Sequence, residues 1–329
     1  MTLGRILIVR LTALGDVLLA TPLARALRRA QPAAEIDWLV APPFTPLLEA
    51  NPNLSRVFPA ERGVAARLRA RRYDLVLDLQ NKPRTALLRA SLGAARVVSL
   101  RKRTFSGAIA SLLGRERPAT EPHAVELYLS LAARLGVASA GTRLDLVIPE
   151  RARLEAAPLL SRRGAASLWG LAPSTRWATK RWPIERFLEL GQAAEERGAK
   201  LLLLGGAADG PTLDALSARL GSALLGDTRA LGTGGLAAAI EACDLVVAND
   251  SGPAHIAAAL GRKLVVLFGP TAPSRWAPIG SDVELLYRGL PCSPCSNHGS
   301  ARCPLGTHAC LAEIPASEVL AAASRRWAS

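Results

Sequence analysis

Aromatic side chains are scarce in this 329-residue chain, which has 6 Trp, 3 Tyr and 5 Phe. So few rings make it hard to build the stacking platform on which single-stranded nucleic acid is held. No run of about 18 uncharged apolar residues occurs anywhere, which argues against a membrane-spanning helix. The apolar opening ILIVRLTALGDVLLATPLARAL looks like a signal peptide, but Arg10 and Asp16 interrupt it. A buried strand followed by an amphipathic helix fits it better. Cysteine is also sparse, and four of the five (Cys292, Cys295, Cys303, Cys310) lie within 19 residues. A disulfide-scaffolded secreted protein would spread them more widely, so a reducing, cytoplasmic compartment is expected. No short-period repeat is visible.

Acidic residues are outnumbered, 27 Asp+Glu against 41 Lys+Arg, for a formal net charge of +14. A balance this basic raises nucleic acid first. The Arg residues, however, are spread along helices in an Ala- and Leu-rich background, and no reading helix or aromatic sheet is evident. Charge alone leaves nucleic acid, phosphate-bearing small molecules and an anionic membrane surface open. Hydrophobic residues make up 50% of the chain, which excludes a disordered tail as its bulk, and the length fits two domains.

Short apolar runs alternate with helical patterns, the signature of parallel sheets with crossover helices. In the first half, strands are predicted at Arg5–Leu11, Glu35–Ala41, Arg56–Pro59, Tyr73–Gln80 and Ala95–Leu100, with helices at Asp16–Arg29 and Arg62–Arg71. The second half repeats the scheme at Ser167–Ala172, Lys200–Gly205, Ala223–Leu225, Leu245–Asn249, Lys263–Phe268 and Val283–Tyr287. Helices open at Pro183 and near Gly252–Pro253. The expected division is residues 1–160 and 161–329, with a Cys-rich loop at 289–310. Ligands in such α/β domains bind at the carboxyl ends of the strands.

Three loops at such ends carry chemistry. After the first strand, Gly15 precedes Asp16 at a helix start, where amides and dipole favour a carboxylate. Asp16 is then either an N-cap or a general base. The spacing matches neither G-x-G-x-x-G nor the P-loop. Between Pro173 and Pro183, the hydroxyls of Ser174 and Thr175 stand with Arg176, Lys180 and Arg181, a set that suits a diphosphate or a solvated basic loop. After Leu245–Asn249 come Asp250, Ser251 and Gly252, and a helix whose free amides make an anion site with His255 in its first turn. His255 is either a phosphate donor or a packed core residue. A third loop, Phe268-Gly269-Pro270-Thr271, converges on the same edge.

Four segments together resemble glycosyltransferase family 9, the ADP-heptose:lipopolysaccharide heptosyltransferases. They are ILIVRLTALGDVLLATP (6–22), PSTRWATKRWP (173–183), VANDSGPAHIAAALGRKLVVLFGPT (247–271) and the cysteine-bearing tail after Pro291. The resemblance implies a GT-B fold: α/β, two Rossmann-like doubly wound domains facing a central cleft. The N-terminal domain would bind acceptor and the C-terminal domain the nucleotide sugar. It further implies inverting, metal-independent transfer of heptose from ADP-L-glycero-D-manno-heptose to the inner core of lipopolysaccharide. Asp16 falls on the family's catalytic base and Lys180 on its diphosphate-contacting lysine. Ser174 and Thr175 fall on the hydroxyl-bearing neighbours of that lysine, and Asp250, Ser251, Gly252 and His255 on the donor loop. Asp209 lies near an acidic contact to the adenosine ribose, and Arg84 near a basic group facing the phosphorylated acceptor.

The partners expected are an ADP-sugar, a phosphorylated lipid A–core acceptor and the anionic inner leaflet, with no nucleic acid. The enzyme would then work at the cytoplasmic face of the inner membrane as a peripheral protein. Cys292, Cys295, Cys303 and Cys310 are spaced closely enough to close around one structural Zn²⁺, with His298 and His308 as substitutes; free thiols or a disulfide are the alternatives. Competing readings are a glycosyltransferase using another nucleotide sugar or a protein acceptor, and a nucleotide-binding module without catalysis.

Overall fold

The computed structural model describes residues 3–100 and 122–328. They form two compact units, Met1–Asp145 and Leu146–Ser329. The first is built on β1 (Arg5–Val9), β2 (Glu35–Val40), β3 (Arg56–Pro59), β4 (Leu75–Asp78) and β5 (Arg96–Ser99). All pairs are parallel, in the order β3-β2-β1-β4-β5. Helices cover the sheet, so β1 and β4 read as near-continuous Val, Ile and Leu rather than as alternating patterns.

The second unit carries β6 (Leu168–Ala172), β7 (Lys200–Leu203), β8 (Leu224–Asp227), β9 (Leu245–Asn249), β10 (Lys263–Phe268) and β11 (Val283–Tyr287). Their order is β11-β10-β9-β6-β7-β8, all parallel. Counted from β6, this is the doubly wound order 3-2-1-4-5-6 read from the other edge. The chain leaves β6 toward one edge and returns to β9 to build toward the other. The loops after β6 and β9 therefore part at a topological switch point, as do those after β1 and β4 in the first unit.

Two expectations need correction. The helix expected over Asp16–Arg29 is two helices, Leu14–Leu19 and Thr21–Ala30. Pro22 has no N–H to give the carbonyl of Leu18, and the Thr21 hydroxyl donates to it instead at 2.7 Å. The division between units falls at Asp145–Leu146 instead of 160/161. The helix Glu150–Leu160 belongs to the second unit, where Ala152 and Ala156 are buried and Arg153 grips Glu241 through two bonds of 2.7 and 2.9 Å.

The second unit's core gathers Trp169, Trp182 and Phe187 with the apolar strand residues. Trp182 meets Phe187 edge-on at 4.9 Å and donates its indole N–H to the carbonyl of Ile314 at 2.9 Å. That bond satisfies the polar end of a ring that is otherwise fully apolar in its packing. Among the described residues no helix is long and apolar enough to cross a membrane.

Candidate active site

In the first unit the chain leaves β1 at Val9, turns through Arg10–Ala13 and enters a helix at Leu14. Asp16 is thus the third helical residue and not the N-cap. Its two carboxylate oxygens have different surroundings. Oδ1 lies 2.5 Å from Nη2 of Arg10 and accepts the hydroxyl of Tyr128 at 2.7 Å. Among the described residues Oδ2 accepts only a long bond, 3.3 Å, from the amide of Ala13. Arg10 is fixed in turn by donating to the carbonyl of Leu79 at 2.9 Å and by lying over the Tyr128 ring. Burial alone would raise the Asp16 carboxyl. The Arg10 charge and the bonds from Tyr128, Arg10 and Ala13 outweigh it and hold the group below the usual carboxylate range. Burial and the adjacent Asp16 charge push the Tyr128 hydroxyl well above its ordinary value, so it remains a donor.

Beside β1 on the same sheet edge, β4 ends at Asp78, which is fully buried. Its carboxylate accepts the amides of Gln80 and Asn81, the hydroxyl of Thr85 and the guanidinium of Arg89. This shapes the turn into the helix Pro83–Ser91, which presents Arg84 exposed in its first turn.

In the second unit β6 delivers Ser174 and Thr175, both buried. The Thr175 hydroxyl donates within the loop to Trp177, at 2.8 Å, whereas Ser174 Oγ has no hydrogen-bond partner among the described residues. A buried hydroxyl left unsatisfied at a strand end is a place for a ligand oxygen. Of the loop's cations, Arg181 turns back to the carbonyl of Thr175 (3.1 and 2.9 Å) and Arg176 lies exposed over the Trp177 ring. Lys180 points to the next loop, with Nζ 2.6 Å from Oδ2 of Asp250, and Thr271 donates to the same oxygen at 2.6 Å.

Asn249, the last residue of β9, ties these loops together. Its Oδ1 accepts the amide of Trp182 at 3.0 Å and its Nδ2 donates to the carbonyl of Pro173 at 2.8 Å. Ser251 then stands at the N-cap of the helix Gly252–Ala259, but its hydroxyl donates back to Asn249 (3.1 Å) and does not cap the first-turn amides. His255 is buried in that first turn. The β6 and β9 loops thus bring Ser174, Lys180, Asp250, Ser251, Gly252 and His255 to one switch point. Asp209 follows β7, the next strand out, where its carboxylate accepts the Gly206 amide at 2.8 Å and closes its own turn.

None of the cysteines is in a disulfide; Cys292 and Cys295 are exposed, Cys303 is half-buried and Cys310 is buried. Burial, reinforced by the neighbouring Cys295, Cys303 and Cys292, pushes the Cys310 thiol up to about 11. Backbone amides, that of His308 foremost, lower the Cys303 thiol. Although the thiols are near one another, among the described residues no three His, Cys, Asp or Glu side chains are arranged to hold a metal ion. Cys310 sits on a short helix with its sulfur against Gly269, while Cys292 and Cys295 lie at the surface.

Sequence reading passed over Arg10, Tyr128 and Asn249. Arg10 had a signal, a charge ending an apolar strand. Tyr128 had none, since it meets Asp16 across 112 residues.

The family model described as glycosyltransferase family 9 (heptosyltransferase) matches residues 62–304. The chain belongs to this family. It is 30% identical over 314 residues to lipopolysaccharide heptosyltransferase 1 of Pseudomonas aeruginosa, covering 88% of this chain and 86% of that protein. Among solved structures, a family 9 glycosyltransferase from Veillonella parvula superposes with a TM-score of 0.82 at 24% identity, covering 99% and 97% of the two chains. Escherichia coli ADP-heptose lps heptosyltransferase II gives 0.79 at 24% identity, covering 98% of each chain. The two parallel-sheet units are those of the GT-B fold, and family 9 membership makes this chain a glycosyltransferase.

Proposed function

We propose that this family 9 enzyme moves heptose from ADP-L-glycero-D-manno-heptose to the inner core of lipopolysaccharide, with inversion and without a catalytic metal. The observation that carries the reading is the unequal holding of Asp16. Arg10 and Tyr128 occupy Oδ1 and keep the group ionised, while among the described residues Oδ2 has one weak bond, which leaves it available to a hydroxyl. The relatives support the substrate class: one is named a lipopolysaccharide heptosyltransferase, another an ADP-heptose lps heptosyltransferase.

In the proposed step the acceptor hydroxyl oxygen attacks the anomeric carbon and its proton passes to Asp16 Oδ2. The bond from that carbon to the β-phosphate oxygen breaks, and ADP leaves with the electron pair. Charge developing on ADP is met by Lys180, by the first-turn amides at Gly252 and by His255, with Ser174 Oγ as a further donor. Lys180 and the helix terminus supply that stabilisation as fixed positive charge, so the step can proceed without Mg²⁺. Asp250 and Ser251 contact the sugar, Thr175 shapes the loop, Asp209 lies toward the ribose, and Arg84 faces the acceptor's phosphate. The net charge of +14 suits peripheral work on the anionic cytoplasmic leaflet.

The test pairs binding with turnover. ADP-heptose, and not UDP- or GDP-sugars, should raise the melting temperature. Asp16→Asn should retain that shift while transfer falls by about 10²–10⁴-fold. Near-normal turnover in Asp16→Asn would reject the base; stabilisation by UDP-sugars alone would reject the donor.

A further inference from the structure

The loop that carries Cys292, Cys295 and Cys303 has no part in the step proposed above, yet it is bonded on both sides of the Lys180–Asp250 pair. After β11 the chain runs from Arg288 to His308 without helix or strand. Its first part is tied to the end of β10. Ser293 donates to the carbonyl of Gly269, and the amides of Cys295 and Ser296 donate to that of Pro270 at 3.0 and 2.9 Å. The next residue along is Thr271, which holds Asp250.

The second part is bonded to Thr179, the neighbour of Lys180. The Thr179 amide and hydroxyl both donate to the carbonyl of Ser300, at 3.2 and 2.9 Å, and the Ser300 amide donates to Thr179 Oγ1 at 2.8 Å. His308 Nε2 lies 2.8 Å from the carbonyl oxygen of Thr179, which requires the proton on that ring nitrogen. Between these anchors Gly299 adopts φ +94° and lies directly on the lysine. A Cβ there would come within 2.7 Å of Trp177 Cβ and 2.9 Å of Lys180 Cδ. Ser296 braces the turn, accepting the Gly299 amide at 2.9 Å and donating to its carbonyl at 3.1 Å.

We propose that residues 293–308 form a strap that positions Lys180 for the donor diphosphate, with Thr179, Gly299, Ser300 and His308 as its positioning residues. The inference rests on the reading of Lys180 as the diphosphate ligand. Lysine is a flexible point charge, and its reach is defined only if its stem is held. The strap holds the stem beneath Gly299 and keeps the Thr179 backbone and the Gly269–Thr271 turn at a set separation, so less conformational freedom is lost when the diphosphate binds.

The experiment measures ADP affinity by calorimetry on the full chain, with thermal unfolding alongside. Gly299→Ala and Thr179→Val should each weaken ADP binding roughly tenfold and raise the donor KM, leaving the acceptor KM unchanged. His308→Ala should weaken ADP similarly, and His308→Gln, whose amide can donate to the same carbonyl, should recover most of the loss. A purely structural loop would lower the melting temperature while ADP affinity stayed at the wild-type value, and that result overturns the strap. If Gly299→Ala and Thr179→Val do not fold, the His308→Ala and His308→Gln pair decides, with equal ADP affinity in both overturning it. Lys180→Ala separates the two readings. Wild-type ADP affinity in that variant removes the donor assignment itself. Loss of ADP there, with affinity kept in the strap variants, removes the strap alone.

Discussion

Tyr128 donates its hydroxyl to Oδ1 of Asp16 at 2.7 Å, and Arg10 holds the same oxygen at 2.5 Å. A carboxylate held in this way is oriented as well as ionised: its second oxygen keeps a defined direction while the first cannot rotate into its place. For a group that must receive a proton at one atom, direction matters as much as basicity.

The pH dependence should reflect this clamp. The folded-state pKa of Asp16 lies below the unfolded one, so its ionisation stabilises the fold above about pH 4 and that contribution is lost only as pH falls through the lowered value. Transfer should therefore persist into mildly acidic solution, with the acid limb of kcat/KM below the ordinary aspartate range. Tyr128→Phe removes one stabilising bond, so the limb should move upward and kcat should fall roughly tenfold. An unmoved pH profile in Tyr128→Phe would assign the tyrosine to packing only.

The Lys180–Asp250 pair is largely buried, with side-chain exposures of 14% and 6%. Removing one partner leaves the other's charge uncompensated, so Lys180→Met should cost about 3 kcal/mol in urea unfolding as well as ADP affinity. Adding Asp250→Asn should restore much of the stability and none of the binding. A double variant as unstable as Lys180→Met would place the cost elsewhere.

Asn249 satisfies one buried donor and one buried acceptor at the two ends of the β6 loop. Asn249→Ala should orphan both and cost about 2–3 kcal/mol, with weaker ADP binding because the Lys180 turn is no longer held to β9. Asn249→Asp keeps the acceptor for Trp182 but loses the donor to Pro173, and should fall between the two. Chemical denaturation of the three proteins ranks them directly.

Co-sedimentation with anionic phospholipid vesicles addresses the charge of +14. Binding should be present at low ionic strength and decline steeply toward 0.15 M salt, where the screening length is about 8 Å. Binding that ignores salt would point to apolar insertion instead.

Much of the fold was legible in the sequence because it is local. β3, β9, β10 and β11 have the bounds expected from apolar run length and flanking turn residues. Asp16, Lys180 and Asp250 stood out because each lies in or just after a loop at the end of an apolar strand, where polar residues have few structural reasons to cluster. The break at Pro22 was missed because the helical period continues across it. The unit boundary was missed because nothing local says which sheet the helix Glu150–Leu160 covers. Tertiary structure alone decided that β6 lies beside β9 and β1 beside β4, which is what makes the loops neighbours. The same is true of Tyr128 on Asp16, of Asp250 on Lys180 and of Ser300 on Thr179, the last pair 121 residues apart. Periodicity and turn chemistry act over a few residues, so they set the strands and the polar side chains at their ends. Strand order is a property of the whole sheet, and only the folded chain could decide which of those side chains meet.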